Sequence, residues 1–316
     1  MTQDYFDRFF AGETLAASRL MSIVEAGGKA GEAVLNRLFP EVGRAYRIGV
    51  TGFTGAGKST LVDAVSRRYR DAEKSVGVIA EDPSSPFTGG AILGDRVRMQ
   101  QASDDGVFIR SIASRGSETG LSACATQLAD VLDAFGRDII FLETIGIGQL
   151  EYRIRHMAHT TCVVLTPDAG DDVQSLKSGL MEVGEVFVVN KADRENARRY
   201  ADDLRSMLEL RQNADWLPPV VETVGTREKG IGELHEAIER HREYLSQDGR
   251  LEEKRVESLR DRVTLVADER LRELFWGNDT IRKKLDSIVA SVVAGKKSPY
   301  EAAREILEPL AINSRK

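Results

Sequence analysis

The chain has 316 residues, 41% of them hydrophobic and 30% charged, enough apolar material for one large α/β domain with a smaller appendage. Its formal net charge of −6 argues against a general nucleic-acid binder, which is usually basic. No apolar run approaches the roughly 20 residues that span a bilayer, so a soluble cytoplasmic protein with neither nucleic acid nor membrane as partner is expected.

Residues 1 to about 40 read as helices, because Leu15, Leu20, Ile23 and Val24 recur at helical spacing and Gly27-Gly28 interrupts them. The opening Met1-Thr-Gln-Asp-Tyr-Phe-Asp7 is polar and acidic, unlike a signal or transit peptide. Arg47-Ile-Gly-Val-Thr51 then predicts a buried strand. Further short apolar runs at 76–80, 107–109, 138–142, 161–165, 186–189 and 218–221 predict six more. Their near-continuous apolar character suits a parallel sheet covered on both faces, and the helical segments between most of them supply the crossovers. After Ser246-Gln-Asp-Gly-Arg250 the strand signal stops. Val256, Leu259, Val263 and Val266 step by three and four residues along an amphipathic helix, and two more helices are expected around 279–293 and 298–310. The expected organisation is a helical extension (1–42), an α/β domain with a mostly parallel sheet flanked by helices (43–246), which the G-x-x-x-x-G-K-S turn at Gly52–Ser59 marks as a P-loop nucleotide-hydrolase domain, and a C-terminal helical arm (247–316).

The two cysteines, Cys124 and Cys162, lie far apart in apolar surroundings. Two buried free thiols are expected rather than a disulfide or metal site. His156, His159, His235 and His241 are scattered without ligand spacing.

Gly52-Phe-Thr-Gly-Ala-Gly57-Lys58-Ser59 matches G-x-x-x-x-G-K-S in full, with a strand before it and the helix-forming Ser59-Thr-Leu-Val-Asp-Ala-Val65 after it. Glycines let backbone N–H groups wrap phosphates closely, and the helix N-terminus adds partial positive charge. Gly52, Thr54, Gly55, Ala56, Gly57, Lys58, Ser59 and Thr60 are therefore the expected phosphate site. Lys58 reaches the β- and γ-phosphates in this reading, and Ser59 ligates Mg²⁺.

Asn190-Lys-Ala-Asp193 follows the strand run Val186-Phe-Val-Val189. Guanine presents N1–H and its 2-amino group as two donors on one edge, and the Asp193 carboxylate can accept both. Adenine would leave that carboxylate unpaired, which is costly. Asn190 can donate to N7, and the Lys191 stem can lie along the ring. Val224-Gly225, where many GTPases carry Ser-Ala, can offer a backbone N–H to the base oxygen. GTP and GDP are thus the expected ligands.

Between the two motifs stand Asp82 and Asp95, with Glu143 ending a strand run before Thr144-Ile-Gly-Ile-Gly-Gln149. A carboxylate at the C-terminal end of a parallel strand points toward the nucleotide crevice. Each of the three could ligate Mg²⁺, hold a metal-bound water, orient the attacking water, or be an ordinary exposed acid. The glycine-rich stretches 89–94 and 146–148 read as mobile loops. Arg115 could stabilise charge or be a solvated loop residue.

Together these segments resemble the MeaB/ArgK family, GTPases that chaperone cobalamin-dependent acyl-CoA mutases. The residues that carry the resemblance are the phosphate loop, Asp82-Pro-Ser-Ser85, Thr88-Gly-Gly-Ala-Ile-Leu-Gly-Asp-Arg-Val-Arg-Met99, Glu143–Gln149, Ala169-Gly-Asp-Asp-Val-Gln-Ser-Leu-Lys-Ser-Gly179 and Asn190–Asp193. The resemblance implies that Asp82, Asp95 and Glu143, with Lys58 and Ser59, serve metal binding and hydrolysis. It makes 169–179, with Gln174 and Lys177, a third switch facing the mutase, and the C-terminal helices a homodimerisation arm. The implied partner is the mutase, with its adenosyltransferase; the implied role is protecting and reactivating the mutase and gating adenosylcobalamin loading. Asp168 and Thr119 stand where the family usually has glycine. A nickel-insertion GTPase would want Cys/His clusters, which the sequence lacks, and a small-molecule kinase would need an acceptor pocket that no motif marks.

Overall fold

The computed structural model describes residues 2–82, 106–113, 123–146, 153–167, 180–210 and 215–312. Three helices come first: α1 (Thr2–Phe10), α2 (Thr14–Ala26) and α3 (Gly28–Leu38). The seven strands are β1 (Tyr46–Gly52), β2 (Val76–Asp82), β3 (Val107–Ala113), β4 (Ile139–Glu143), β5 (Thr160–Leu165), β6 (Val186–Asn190) and β7 (Val220–Thr223). Helices α4 (Lys58–Asp71), α5 (Ala123–Ala134), α6 (Ala197–Glu209) and α7 (Ile231–Ser246) lie between or after them. Then come α8 (Arg250–Trp276), α9 (Asp279–Val293) and α10 (Pro299–Ile312). All seven expected strands and the three C-terminal helices form.

The sheet runs β3-β2-β4-β1-β5-β6-β7, and every pairing is parallel. Side-chain alternation sorts its two faces. Cys162, Val164, Val186 and Val188 face Leu61, Val65, Leu234 and Ile238 of α4 and α7. The intervening Val163, Leu165, Phe187 and Val189 pack with Leu204 and Leu208 of α6. Elsewhere Ile79, Ile140 and Leu142 join α5 and the three N-terminal helices in one core. A sheet buried on both faces explains the uninterrupted apolar runs. Gly49 is required in β1, since a Cβ there would lie 2.5 Å from Ile154 Cγ1.

β1 sits between β4 and β5, and the chain builds one half of the sheet on each side of it. The crevice beyond the carboxyl end of such a switch-point strand is where α/β sheets bind ligands.

The chain forms two compact units, Met1–Arg255 and Val256–Lys316. The second has a small core of Ile288, Ala302 and Ile306, flanked by Phe275, Ile281, Leu285 and Val292. Its α9 is capped by Asn278, whose side chain accepts from the Thr280 N–H at 2.9 Å. Of the two free cysteines only Cys162 is buried. Cys124, in the first turn of α5, is half-exposed, which corrects the expectation of two buried thiols. Among the described residues no helix is long and apolar enough to cross a membrane.

Candidate nucleotide site

β1 ends at Gly52 and α4 begins at Lys58, so the glycine-rich segment forms the expected strand–loop–helix turn. Gly52 has φ 131°, Gly55 79° and Gly57 93°, a region that L side chains rarely adopt. A Cβ on Gly52 would also fall on the Val164 carbonyl, and one on Gly57 would fall on the Asn190 amide. The loop is thus shaped by glycine at both ends, and it leads into the N-terminus of α4, an end that carries partial positive charge.

Lys58 is buried. Its Nζ donates to the carbonyls of Gly52 at 2.8 Å, Phe53 at 3.0 Å and Ile145 at 3.3 Å. The Ser59 hydroxyl donates to Glu143 Oε1 at 2.5 Å, joining the first turn of α4 to the end of β4. Glu143 is buried. Register places Ala80 beside Glu143 across the β2–β4 pair, so Asp82 ends β2 two residues further along the same edge. Asp95 lies outside the described residues, as do Arg115, Thr119, Asp168, Gln174, Lys177 and most of the expected switches.

Beyond β4 the chain keeps close to the phosphate loop. The Thr144 N–H donates to the Val50 carbonyl at 3.0 Å, and its hydroxyl pairs with that of Thr51 at 3.0 Å. The Thr54 hydroxyl donates to the Gly146 carbonyl at 3.2 Å, with the Ile145 carbonyl at 3.4 Å. Gly146, read from sequence as the start of a mobile loop, is packed against Gly52, Thr54 and Lys58.

The Asn190–Asp193 segment adjoins this loop. Asn190 is buried at the end of β6. Its amide donates to the Ala56 carbonyl at 2.8 Å, and its oxygen accepts from the Thr223 hydroxyl and the Gly225 N–H, both at 3.1 Å. One side chain therefore ties the phosphate loop to the turn after β7, using one of its two amide hydrogens. Lys191 Nζ donates to the Gly55 carbonyl at 2.8 Å. Thr60 lies close to Gly225. The Val224 N–H donates to the Lys229 carbonyl at 3.0 Å; with Gly225 committed to Asn190, both amides expected to reach the base oxygen are engaged within the protein. Asp193 stands exposed, with Arg227 Nη2 3.8 Å from its carboxylate.

Sequence reasoning missed Thr223, Arg227 and the Thr51–Thr144 pair. Thr223 carries no local signal: only the β6–β7 register sets it opposite Asn190.

Residues 17–280 match the family described as "Methylmalonyl Co-A mutase-associated GTPase MeaB". The chain belongs to the MeaB family of GTPases. It is 42% identical to a Pyrococcus abyssi protein named among the GTPases, over 98% of this chain and 97% of that one. It is 34% identical to the GTPase ArgK of Escherichia coli K12, over 95% of this chain and 94% of that one. A crystal structure titled "LAO/AO transport system kinase" superposes with TM-score 0.74 at 26% identity, covering 98% of this chain and 97% of the other. As a MeaB-family GTPase the chain binds guanine nucleotide and hydrolyses GTP, and the edge formed by β1, β4 and β6 is the place its geometry offers for this.

Proposed function

We propose that this MeaB-family GTPase is a cytoplasmic chaperone of a cobalamin-dependent acyl-CoA mutase, spending GTP to protect and reactivate it and to gate adenosylcobalamin loading. The observation that carries this is the family match over residues 17–280, whose description is of a methylmalonyl-CoA mutase-associated GTPase. The mutase and its adenosyltransferase are the partners in this reading.

In the hydrolytic site, residues Gly52 to Thr60 cradle the phosphates and Lys58 supplies the charge that meets them. Asp193 accepts the two guanine donors, Asn190 uses its second amide hydrogen on N7, and Lys191 lies along the ring. Val224 and Gly225 hold the wall beside the base. The Ser59 hydroxyl and Glu143 carboxylate are hard oxygen donors at the mouth of the loop, a set that suits Mg²⁺. Ser59 and Glu143, with Asp82 and Asp95, would hold the ion, which offsets negative charge on the β- and γ-phosphates. Whichever of these carboxylates is not engaged there orients the attacking water. Residues 169–179 report nucleotide state to the mutase.

The arm serves as a homodimer seam. Val256, Leu259, Val263 and Val266 are 49%, 41%, 69% and 56% exposed on α8, a helix with no buried residue. Intramolecular packing therefore does not cover the stripe that the sequence spacing creates, and a second copy is the occupant proposed. Sedimentation should give a dimer for the full chain and a monomer for a chain ending near residue 248. A monomeric full chain would refute the seam.

The chaperone reading is tested by GTP hydrolysis of the full chain alone and with methylmalonyl-, isobutyryl- and hydroxyisobutyryl-CoA mutases, each with and without cobalamin. Acceptor-independent hydrolysis, faster with one mutase, is the expected result. Rates indifferent to every mutase would reject the role.

A further inference from the structure

Glu143, at the end of β4, and the three residues after it are joined one after another to the phosphate loop or to the end of β1 that leads into it. Glu143 takes the Ser59 hydroxyl. Thr144 is held by the Val50 carbonyl and the Thr51 hydroxyl. The Ile145 carbonyl takes Lys58 Nζ at 3.3 Å, and the Gly146 carbonyl takes the Thr54 hydroxyl at 3.2 Å. The approach is tight: Gly146 has φ 90°, and a Cβ there would overlap the Gly52 carbonyl and lie 2.5 Å from Lys58 Nζ and 2.8 Å from the Thr54 nitrogen. Any larger residue at 146 would push this tail off the loop.

These links differ in what a phosphate does to them. An ammonium carries three donors. Two of Lys58's shorter bonds stay inside the phosphate loop, to Gly52 and Phe53. The bond to Ile145 is the longest of the three, so a phosphate oxygen that recruits Lys58 competes with that link first. The Thr54 hydroxyl is neutral and is not called on by that exchange. Once Lys58 turns to phosphate, Thr54 remains as the side chain that ties the end of the tail down.

We propose that Thr54 is a positioning residue: its hydroxyl clamps the Thr144–Gly146 tail onto the phosphate loop and so sets how readily nucleotide entry frees that tail. The proposal rests on the phosphate-site reading above and deepens it. Lys58 supplies the exchangeable half of the latch, and Thr54 supplies the half that resists.

The test compares Thr54→Val, which keeps the shape and removes the donor, with Thr54→Ser, which keeps the donor. Hydrogen exchange of the 140–146 region is followed in the full-length protein without added nucleotide, and release of fluorescent GDP is followed separately. Loss of one neutral hydrogen bond predicts about fivefold faster exchange of the tail in Thr54→Val, and, because the clamped tail competes with phosphate for Lys58, nucleotide release slowed by a similar factor. Thr54→Ser should stay within about twofold of wild type on both readouts, since its hydroxyl restores the bond. Thermal unfolding of both variants should match wild type. A tail in Thr54→Val as protected as in wild type overturns the clamp, as does a serine variant that behaves like valine, or a loosened tail with unchanged nucleotide release. Failure of the wild-type protein to bind GDP would instead reject the phosphate-site reading, while the exchange data would still decide the clamp.

Discussion

The two ends of the sheet use their polar side chains in opposite ways. At the amino end the groups close on one another. Arg47 pairs with Asp130 at 2.8 Å and Asp133 at 3.0 Å, and Asp133 also accepts the N–H groups of Gly43, Arg44 and Ala45, each at 3.0 Å. Tyr46 joins Thr160 at 2.6 Å, and Thr160 joins His241 at 2.8 Å. Lys254, at the start of α8, donates to Glu185 and to the His159 carbonyl, both at 2.7 Å. At the carboxyl end, by contrast, Lys58, Ser59 and Asn190 make bonds to backbone carbonyls and a carboxylate that an incoming ligand can take over or leave in place. One end is a lock; the other trades partners. Buried charges that are fully paired hold a fold in register, while polar groups held at a crevice by replaceable bonds are available for chemistry.

The largest expected effect breaks the trading end alone. Lys58→Ala removes the cation proposed to meet the phosphates and should lower GTP hydrolysis about a thousandfold. Urea unfolding should be little changed. A variant with near-normal turnover would remove Lys58 from the site.

A change at the locking end should do the reverse. Asp133→Ala strips Arg47 of a partner and leaves three backbone donors uncapped, which should cost about 3–5 kcal/mol of stability. The KM for GTP, measured where the variant is still folded, should stay within about twofold of wild type, because distant sites act independently. A large KM change with little loss of stability would show that the two ends are not separable.

The smallest effect is in pH. Burial holds His241 well down, to about 3 from an ordinary 6.5. Burial, then the Arg47 charge, holds His159 well below its usual value; its Nδ1 accepts the Arg47 N–H at 3.0 Å. Both rings are neutral in the folded chain. The unfolded chain therefore binds the extra protons as pH drops below about 6.5, and stability falls with falling pH. Between pH 7 and 5 each histidine should account for up to about 2 kcal/mol of loss. His241→Gln should flatten that slope by about half in urea titrations at the two pH values. An unchanged slope would remove His241 from the account.

How much of this was legible in the sequence follows the same division. The seven strands were readable because a sheet buried on both faces leaves uninterrupted apolar runs. The two nucleotide motifs were readable because their chemistry is local: a glycine turn before a helix, and a carboxylate at a strand end. What the sequence hid depends on register. His159 and His241 looked scattered, yet the start of β5 brings His159 beside Tyr46 and links His241 to Tyr46 through Thr160. Asn190 looked like a base contact and proved also to be the tie between Ala56 and Gly225, because β6 and β7 align Asn190 with Thr223. The bond from Thr54 to Gly146 spans 92 positions, and no local pattern announces it. The C-terminal stripe was visible as spacing, but only its exposure separates an uncovered face from a packed one.

The most direct test of the carboxyl end as a guanine-reading hydrolytic site is steady-state hydrolysis of GTP, ATP and XTP by wild type and Asp193→Asn side by side. The account predicts that wild type strongly prefers GTP. The variant should lose GTP preference by about a hundredfold or more and gain XTP, because xanthine carries an acceptor where guanine carries the donor that Asp193 reads. A variant that still prefers GTP as wild type does would contradict it.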